Sequence, residues 1–250
     1  MTISDELKAH IRSAKSVCVL TGAGISAESG VPTFRGEEGL WKKFKPEELA
    51  NFPAFLRNPD LVWEWYAYRR KLIHDVKPNA GHYALVTLER AVEDFTLVTQ
   101  NVDNLHRRAG SKSVVELHGN IERSYCIECG ARVSEPDLDA QSGAPRCTQC
   151  GGLIRPDVVW FGEMLPVEAY SAADKAARRC DLFLCIGTSS VVYPAASLPY
   201  TALDHGAFVV QINREHTELS GRAHDTLLGQ AGEILPQLVS CFSQSQGSTR

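Results

Sequence analysis

The chain has 250 residues, of which 44% are hydrophobic and 22% charged, and its formal net charge is -4. This length and composition predict one large domain or a domain with a smaller insertion, without the broad basic surface that nucleic acid requires. No apolar run reaches membrane-spanning length, and the start of the chain lacks the basic and apolar regions of a secretory signal. We therefore expect a cytoplasmic protein that binds neither nucleic acid nor membranes.

A glycine-rich segment, TGAGISAESGVPTFRG, occupies positions 21–36. It follows the apolar run 17–20, which predicts a buried parallel strand. Gly22, Gly24 and Ala27 fit the G-x-G-x-x-G/A pattern, in which glycines let the backbone approach a pyrophosphate at the start of a helix. The acidic residue that an ordinary dehydrogenase carries about 20 positions later is missing. The segment predicts a dinucleotide site, and a standard dehydrogenase is disfavoured.

Helices and strands are predicted to alternate along the rest of the chain. The predicted helices cover 4–15, 60–75, 78–92, 166–179 and 232–242. The predicted strands cover 17–20, 95–99, 114–117, 182–186 and 207–212, and residues 158–163 are predicted to form a short strand and a turn. Ser4 and Asp60 are the expected N-caps of the first two helices. Residues 36–59 show no strand signal and are predicted to form a mobile, partly helical flap. The alternation predicts an α/β fold, a Rossmann-like doubly wound parallel sheet.

The helix predicted over 60–75 carries an arginine inside its apolar stripe. At about 100° per residue, Arg69 falls between Trp65 and Val62, and Tyr66 lies on the same side of the helix. A buried guanidinium needs an anion, because an unpaired buried charge is very costly. From the wheel alone, a structural ion pair or an arginine that reaches the surface is the simpler interpretation.

Polar residues follow two of the predicted strands. Residues 100–103 (QNVD) come directly after the strand over 95–99, and His118 comes directly after the next strand. Ligands bind at the carboxyl ends of the strands in open α/β sheets, although residues 100–103 would also suit an Asn/Asp turn with Asn104 capping the next helix. His118 is a candidate general base, because imidazole titrates near neutral pH. His106 is predicted to be structural or orienting.

Four of the eight cysteines form two C-x-x-C pairs. Cys126 and Cys129 are separated by 17 residues from Cys147 and Cys150. This spacing predicts a tetrahedral four-cysteine Zn²⁺ site, which is structural because no coordination position is left for water. A catalytic zinc and a disulfide or redox pair are the less favoured alternatives. The other cysteines, Cys18, Cys180, Cys185 and Cys241, are expected to be buried.

Together these motifs resemble those of the sirtuins, the NAD-dependent protein deacylases. The glycine-rich segment is similar to the family's NAD-binding signature. Four further segments occur in the family's order, namely TQNVDNLH at 99–106, LHGN at 117–120, GTSS at 187–190 and INRE at 212–215. The resemblance implies a Rossmann-like domain formed by 1–36, 76–120 and 157–242. It also implies a smaller zinc-binding and helical lobe formed by 37–75 and 121–156, and residues 243–250 are predicted to be a disordered tail.

The resemblance also implies the residues of the site. Those expected to contact NAD are Gly22, Ala23, Gly24, Ser26, Ala27, Glu28, Phe34, Arg35, Trp41, Gln100, Asn101, Val102, Asp103, Gly187, Thr188, Ser189, Asn213, Arg214, Glu215 and Ala231. The substrate peptide would pair with the backbone of Val159, Trp160, Phe161, Gly162 and Glu163. His118 would be the catalytic base, and the acyl group of lysine would pass to ADP-ribose as nicotinamide leaves.

The segment Tyr66–Arg69 (YAYR) resembles the Tyr-x-x-Arg signature of the sirtuin subclass that removes succinyl and malonyl groups from lysine. In that subclass the tyrosine and the arginine hold the acyl carboxylate. We therefore expect a desuccinylase and demalonylase with deacetylase activity, which acts on acylated-lysine proteins or peptides with NAD as co-substrate and one structural Zn²⁺. The alternatives are a plain deacetylase, a mono-ADP-ribosyltransferase and an NAD-sensing module without activity, and the presence of His118 disfavours the last.

Overall fold

The computed structural model describes residues 3–33, 45–133 and 143–243. Its strands are β1 (Ser16–Thr21), β2 (Asp94–Thr99), β3 (Val114–Glu116), β4 (Gly119–Cys126), β5 (Arg132–Val133), β6 (Ile154–Val158), β7 (Leu182–Ile186), β8 (Phe208–Asn213) and β9 (Asp225–Leu228). Its α-helices are α1 (Asp5–Ser13), α2 (Ala23–Ala27), α3 (Pro46–Leu49), α4 (Phe52–Arg57), α5 (Pro59–Asp75), α6 (Ala80–Ala91), α7 (Leu105–Ala109), α8 (Val167–Arg179), α9 (Leu198–Asp204) and α10 (Ala231–Ser243). Short 3₁₀ turns cover Ala195–Ser197 and Glu218–Gly221.

Six strands form a parallel sheet in the order β3-β2-β1-β7-β8-β9. The chain moves outward from β1 to β3 on one side of the sheet and then from β7 to β9 on the other side. The order therefore reverses between β1 and β7, and this reversal is the point at which open α/β sheets bind ligands. The predicted Rossmann-like doubly wound fold is confirmed.

The two faces of this sheet are covered by different helices, as the side-chain alternation of a strand requires. Val17 and Val19 of β1 pack in a cluster with apolar residues of α1, α6 and α10. Cys18 and Leu20 pack in a second cluster with residues of α8 and α9. Because both faces are covered, the central strands are almost continuously apolar, which is why short hydrophobic runs predicted them well.

A smaller antiparallel sheet, in the order β5-β4-β6, carries the cysteine pairs. Its apolar residues, such as Ile121 and Ile154, form a third cluster with Phe55 of α4 and Trp63 of α5. The Trp63 indole N–H donates to the backbone oxygen of Ile154 at 2.7 Å, which ties the helix to the sheet. A zinc-type module and helices thus share one core, as predicted, while the exact lobe boundaries stay a prediction.

Helix α5 begins at a different cap from the predicted one. Asn58 is the N-cap, and its side-chain oxygen accepts from the backbone N–H of Leu61 at 3.2 Å. Pro59 occupies the first helical position, where its missing N–H costs nothing. The prediction of Asp60 as the cap is wrong, since its carboxylate accepts instead from the backbone N–H of Ala144 at 2.7 Å. The predicted cap of α1 is confirmed, because the Ser4 hydroxyl oxygen accepts from Leu7 N–H.

The short strand predicted within 158–163 lies earlier in the chain, because β6 ends at Val158 and begins four residues earlier, and the predicted turn follows it. Strand β9 was not predicted, since Asp225–Leu228 is short and contributes only Leu227 to the buried core. Helices α3 and α4 lie in the segment predicted to be a partly helical flap.

The predicted tail lies outside the described residues from position 244 onward. No helix among the described residues combines the length and the apolar character that crossing a membrane demands.

Candidate active site

The carboxyl ends of five strands lie level at one edge of the main sheet. Thr21, the last residue of β1, pairs with Thr99 in β2 and with Ile186 in β7. Thr99 pairs in turn with Glu116 in β3. On the other side, Ile186 pairs with Ile212 in β8. The polar residues that follow these strands therefore share the edge at which ligands bind in this type of sheet.

The glycines of the first turn allow its backbone to pack against the turn after β7. The N–H of Gly22 donates to Ile186 O at 2.9 Å, and the N–H of Gly24 donates to Gly187 O at 2.8 Å. A Cβ atom on Gly24 would lie 2.6 Å from the Cα of Gly187, a distance that real side chains do not reach. Close packing of the two turns therefore requires the glycines, in addition to the close approach of the cofactor that the sequence predicts.

Ser26, Asn101 and Asp103 form a hydrogen-bonded network beside this turn. The Ser26 hydroxyl donates to Asp103 Oδ2 at 2.7 Å. The Asn101 side-chain amide donates to Gly22 O at 3.0 Å and to Ser26 Oγ at 3.2 Å. Burial raises the pKa of Asp103, and hydrogen bonds from Leu105 N–H and Ser26 offset only part of that effect. The network joins the ends of β1 and β2, and it places polar groups where the resemblance expects nicotinamide.

Asp103, and not Asn104, caps helix α7 through its side chain. Asp103 Oδ1 accepts from the backbone N–H of Leu105 at 3.0 Å. Asn104 holds the N-cap position in the left-handed conformation, with φ at 61°, and its side chain makes no capping bond. Its amide donates instead to Glu122 Oε2 at 2.6 Å. Asn104 therefore holds the predicted N-cap position, but its side chain does not make the capping bond.

A second network connects β2, β7 and β8. The Gln100 side-chain amide donates to Thr188 Oγ1 at 3.0 Å. The Asn213 side-chain amide donates to Thr188 O at 3.1 Å. Ser189 and Glu215 lie next to these residues and are exposed, as is Arg214. These predicted NAD contacts thus lie along a polar rim at the ends of the strands, and their roles toward NAD stay predictions.

His118 lies in the turn between β3 and β4, with its ring held in one orientation. Its Nδ1 lies 3.0 Å from the carbonyl oxygen of Gln100, which can only accept, so Nδ1 carries the proton and Nε2 keeps a lone pair. Burial lowers the pKa of His118, and the bond to Gln100 O offsets part of that effect. The next residue, Gly119, has φ at +78°, and a Cβ there would meet Asp157 O. A neutral imidazole with a free Nε2 is suited to act as a general base.

Tyr66 and Arg69 lie on the buried side of α5, as the helical wheel predicts. Tyr66 is 1% exposed and Arg69 is 8% exposed. The Arg69 guanidinium carbon lies 5.6 Å from the centre of the Tyr66 ring and 5.8 Å from that of Trp65. Burial lowers the pKa of Arg69, while its interactions with Tyr66 and with the charge of Asp103 offset part of that effect. The arginine therefore lies close enough to the network around Asp103 to interact with its charge.

The segment predicted to pair with substrate backbone, Val159–Glu163, is an irregular turn rather than a strand. Phe161 is 49% exposed, and Gly162 is exposed with φ at +86°. Trp160 and Glu163 have internal roles, because the Glu163 carboxylate accepts from Trp160 N–H at 2.8 Å and forms an ion pair with Arg155. The exposed residues of this turn remain the predicted contacts for the peptide.

The four knuckle cysteines bring their sulfur atoms together. All four lie within 4.8 Å of one another, with Cys126 Sγ 3.5 Å from Cys150 Sγ and Cys129 Sγ 3.7 Å from Cys147 Sγ. Tetrahedral zinc with Zn–S bonds of about 2.3 Å requires S–S separations of about 3.8 Å. Backbone N–H groups, chiefly that of Cys129, lower the pKa of Cys126 to about 7, which favours the thiolate. The donor set fits one structural Zn²⁺, and the other four cysteines are buried free thiols, as predicted.

Five predicted cofactor contacts have internal roles or lie outside the described residues. Glu28 Oε1 accepts from the backbone N–H of Gly232 at 3.0 Å and so holds the start of α10. Ala231 is buried within the main hydrophobic core. Their contacts with NAD stay predictions. Phe34, Arg35 and Trp41 lie outside the residues that the structure describes.

Asn79 supports the glycine turn, although the sequence indicates only that it lies at the start of the helix predicted over 78–92. Its side-chain amide donates to Ile25 O at 2.7 Å and to Ser29 Oγ at 3.0 Å. His106, predicted to be structural or orienting, is buried with Nε2 2.9 Å from Thr21 Oγ1. Both contacts join segments more than 50 positions apart in sequence, and no local pattern predicts such pairs.

The fold and the site define a Rossmann-like nucleotide-binding enzyme with a structural four-cysteine zinc module. The family model described as "Sir2 family" matches residues 22–194. The chain belongs to the Sir2 family, and it is similar to the NAD-dependent protein deacylase of Aquifex aeolicus. That relative is 51% identical over 233 residues, which cover 93% of this chain and 98% of the relative.

Solved structures agree with this assignment. A mutant Sir2 homologue in complex with ADP-ribose has a TM-score of 0.95 and 42% identity, covering 99% of this chain and 100% of that one. A Sir2 protein in complex with a p53 peptide and NAD⁺ has a TM-score of 0.86 and 32% identity, covering 96% and 98%. The enzyme class and the NAD cofactor predicted from the motifs are therefore confirmed.

Proposed function

We propose that this NAD-dependent deacylase removes acidic acyl groups, succinyl and malonyl, from protein lysine side chains in preference to acetyl. The observation that carries the proposal is the burial of Arg69 between Trp65 and Tyr66 on the inward side of α5. A guanidinium that is removed from water is stabilised most by a ligand that carries a carboxylate. Succinyl and malonyl groups end in a carboxylate, whereas acetyl ends in a methyl group.

Arginine and tyrosine together suit this task. The planar guanidinium of Arg69 can donate two parallel hydrogen bonds to one carboxylate. Burial raises the pKa of Tyr66, so its phenol keeps its proton and can donate a further bond. Hydrogen bonds to a charged group contribute about 1.5–3 kcal/mol each, enough for an order of magnitude in selectivity.

The position of Arg69 relative to Asp103 supports an acyl pocket beside the nicotinamide end of the cleft. The Asp103 charge acts on Arg69, and Asp103 also accepts from Ser26. The competing interpretation is that Asp103 is the internal counter-charge of Arg69 and that the enzyme is a plain deacetylase. The two interpretations differ in the effect of removing Arg69 on acidic and neutral acyl substrates.

NAD, when bound, supplies the ribose carbon that takes the acyl oxygen as nicotinamide leaves, and the ribose hydroxyls that later receive the acyl group. In the proposed reaction His118 Nε2 accepts a proton from a ribose hydroxyl, while Gln100 O keeps Nδ1 protonated and the ring in place. Ser26 and Asp103 hold the carboxamide of nicotinamide. The four cysteines hold Zn²⁺ and take no part in the chemistry.

The remaining predicted contacts follow from the polar rim and the exposed turn. Thr188, Ser189, Asn213 and Glu215 are placed to contact the ribose and phosphate groups of NAD. The exposed turn at Phe161 and Gly162 is the proposed site for an extended peptide, a mode that tolerates many sequences, and the N–H of Phe161 itself is bonded to Ala50 O at 2.9 Å. The protein partners are therefore acylated-lysine proteins or peptides with little common sequence.

One experiment tests the preference directly. A single peptide sequence is prepared with acetyl-, succinyl- or malonyl-lysine, and kcat/KM is measured by mass spectrometry with and without NAD. The proposal expects the best acidic substrate to exceed acetyl-lysine by at least about tenfold, with no turnover in the absence of NAD. Equal or better turnover of acetyl-lysine would refute the acidic preference.

A further inference from the structure

The side chains of Trp160 and Tyr66 are joined by a buried hydrogen bond. The indole N–H of Trp160 donates to the hydroxyl oxygen of Tyr66 at 2.8 Å. The two residues are 94 positions apart in sequence, and they are 3% and 1% exposed. An indole N–H can only donate, so the phenol oxygen is the acceptor in this bond.

The direction of this bond determines what the Tyr66 hydroxyl can do. Because its oxygen accepts from Trp160, the hydroxyl hydrogen points away from the indole and is left for another acceptor. Burial raises the pKa of Tyr66, so this hydrogen is retained at neutral pH. Arg69 cannot be that acceptor, because a guanidinium has only donors. The group best served by both side chains is therefore an acceptor-only ligand such as a carboxylate.

The Trp160 ring is held so firmly that it fixes the phenol. The guanidinium carbon of Arg155 lies 3.6 Å from the centre of the Trp160 ring, and the ring of Phe55 lies 5.2 Å from it. Arg155 is held by its ion pair with Glu163, which also accepts from Trp160 N–H. The indole is thus restrained on its face, at its edge and through its own backbone.

We propose that Trp160 is a positioning residue for acidic acyl groups and acts through the hydroxyl of Tyr66. The inference rests on the proposed acidic-acyl preference. It adds the residue that orients Tyr66, one of the two side chains that hold the acyl carboxylate. Trp160 itself does not touch the acyl carboxylate. Its indole N–H and the Arg69 side chain both bond to the Tyr66 hydroxyl, and the loss of the indole N–H removes one of the two donors that direct the Tyr66 O–H.

This role predicts an effect on one class of substrate. An acyl carboxylate uses the oriented O–H, so its binding weakens when the indole no longer helps to orient the hydroxyl. Acetyl-lysine has no carboxylate, so it is affected only through general changes in packing. A purely structural role for Trp160 would change both substrates by the same factor.

The test is a double-mutant cycle with Trp160→Phe and Tyr66→Phe, measured as kcat/KM on succinyl- and acetyl-lysine forms of one peptide. Trp160→Phe keeps an aromatic ring but removes the donor. We expect the ratio of succinyl to acetyl kcat/KM to fall by about three- to tenfold, the range of one lost hydrogen bond. In the Tyr66→Phe background the same change should leave that ratio unaltered, because the hydroxyl is already absent.

Trp63→Phe is the matched control. Trp63 lies on the same helix as Tyr66 and also loses an indole N–H bond, the one to Ile154 O. Both single variants are checked by thermal unfolding, and Trp160→benzothienylalanine, which keeps the bicyclic ring without the N–H, replaces Trp160→Phe if the smaller ring does not fold. We expect Trp63→Phe to leave the acyl ratio as in the wild type.

Three outcomes would overturn the inference. A wild-type enzyme without acidic preference removes both the proposed function and this inference. A selective wild type whose ratio survives Trp160→Phe, while Tyr66→Phe lowers it, removes the inference alone. A Trp160→Phe loss that persists in the Tyr66→Phe background, or that Trp63→Phe reproduces, assigns Trp160 a structural role only.

Discussion

His118 Nδ1 lies 3.0 Å from the carbonyl oxygen of Gln100. This contact joins the turn after β3 to the turn after β2, and it leaves Nε2 as the basic nitrogen of a neutral ring. Burial lowers the pKa of His118, so the ring stays neutral at physiological pH. The geometry and the charge state therefore support the same role, a proton acceptor beside the cofactor.

The pH dependence of kcat/KM should show this lowered pKa. Only the neutral ring can accept a proton, so activity is full above the pKa of His118 and is lost as the pH falls through it. Because burial lowers that pKa, the acidic limb should have its midpoint below about 6.5, the ordinary value for histidine. A midpoint above 6.5 for wild-type enzyme would contradict the assignment.

Replacement of the base tests the same role directly. His118→Ala should lower deacylation by about 10²–10⁴-fold, the usual contribution of a general base. NAD affinity, measured by calorimetry, and the melting temperature should change little, because His118 lies in a turn at the edge of the sheet. Turnover close to the wild-type rate in His118→Ala would mean that another residue is the base.

Zinc should be part of the folded structure and not of the chemistry. Cys147→Ala removes one of the four sulfur ligands, and we expect an insoluble or unstable protein rather than a folded, inactive one. Elemental analysis of the wild type should give about one zinc per chain. Cys241→Ala, a buried thiol in α10, is the control that keeps the metal. A well-folded and fully active Cys147→Ala enzyme would refute the structural role.

Ser26→Ala tests the network at the glycine turn. The change removes the donor to Asp103 Oδ2 and the acceptor for the Asn101 amide, which leaves buried polar atoms without a partner. We expect a loss of about 1–3 kcal/mol in unfolding free energy and a higher KM for NAD. Ser124→Ala is the matched control, a buried serine whose hydroxyl accepts from Arg70. An unchanged KM for NAD in Ser26→Ala would limit this network to a structural role.

The sequence predicts the site well where the topology of the sheet alone brings the residues together. Gln100, His118 and Gly187 are far apart in sequence, but each lies within two residues of the end of a parallel strand, so the fold places them at one edge of the sheet. The zinc site is predicted equally well, since two C-x-x-C pairs of fixed spacing define a tetrahedral site. In both cases a local pattern and a general rule are enough to predict the proximity.

The sequence predicts poorly where a distant partner decides the conformation. Asn58 and Asp60 are both good N-caps, and Pro59 at the first helical position favours Asn58. The apolar and aromatic residues at the start of 158–163 predict a short strand before the turn, whereas β6 already ends at Val158. The Glu163 carboxylate instead turns the chain back onto Trp160 N–H and Arg155, and neither bond has a signal in the local pattern.

Arg69→Met should separate acidic from neutral acyl substrates. The change keeps a long side chain but removes the donor for an acyl carboxylate, so kcat/KM for succinyl- or malonyl-lysine should fall by at least about tenfold. Acetyl-lysine should change much less, because it has no carboxylate to lose. The measurement is kcat/KM on the matched peptides, with thermal unfolding of each variant.

Lys71→Met is the matched control, because it removes one positive charge from an exposed position on the same helix. It should preserve the ratio of succinyl to acetyl kcat/KM, which would show that the effect of Arg69 is local and not a change in net charge. If Arg69 were only the counter-charge of Asp103, Arg69→Met would leave that buried carboxylate without its partner. Stability and both activities would then fall together by a common factor, and that result would assign the enzyme to the plain deacetylases.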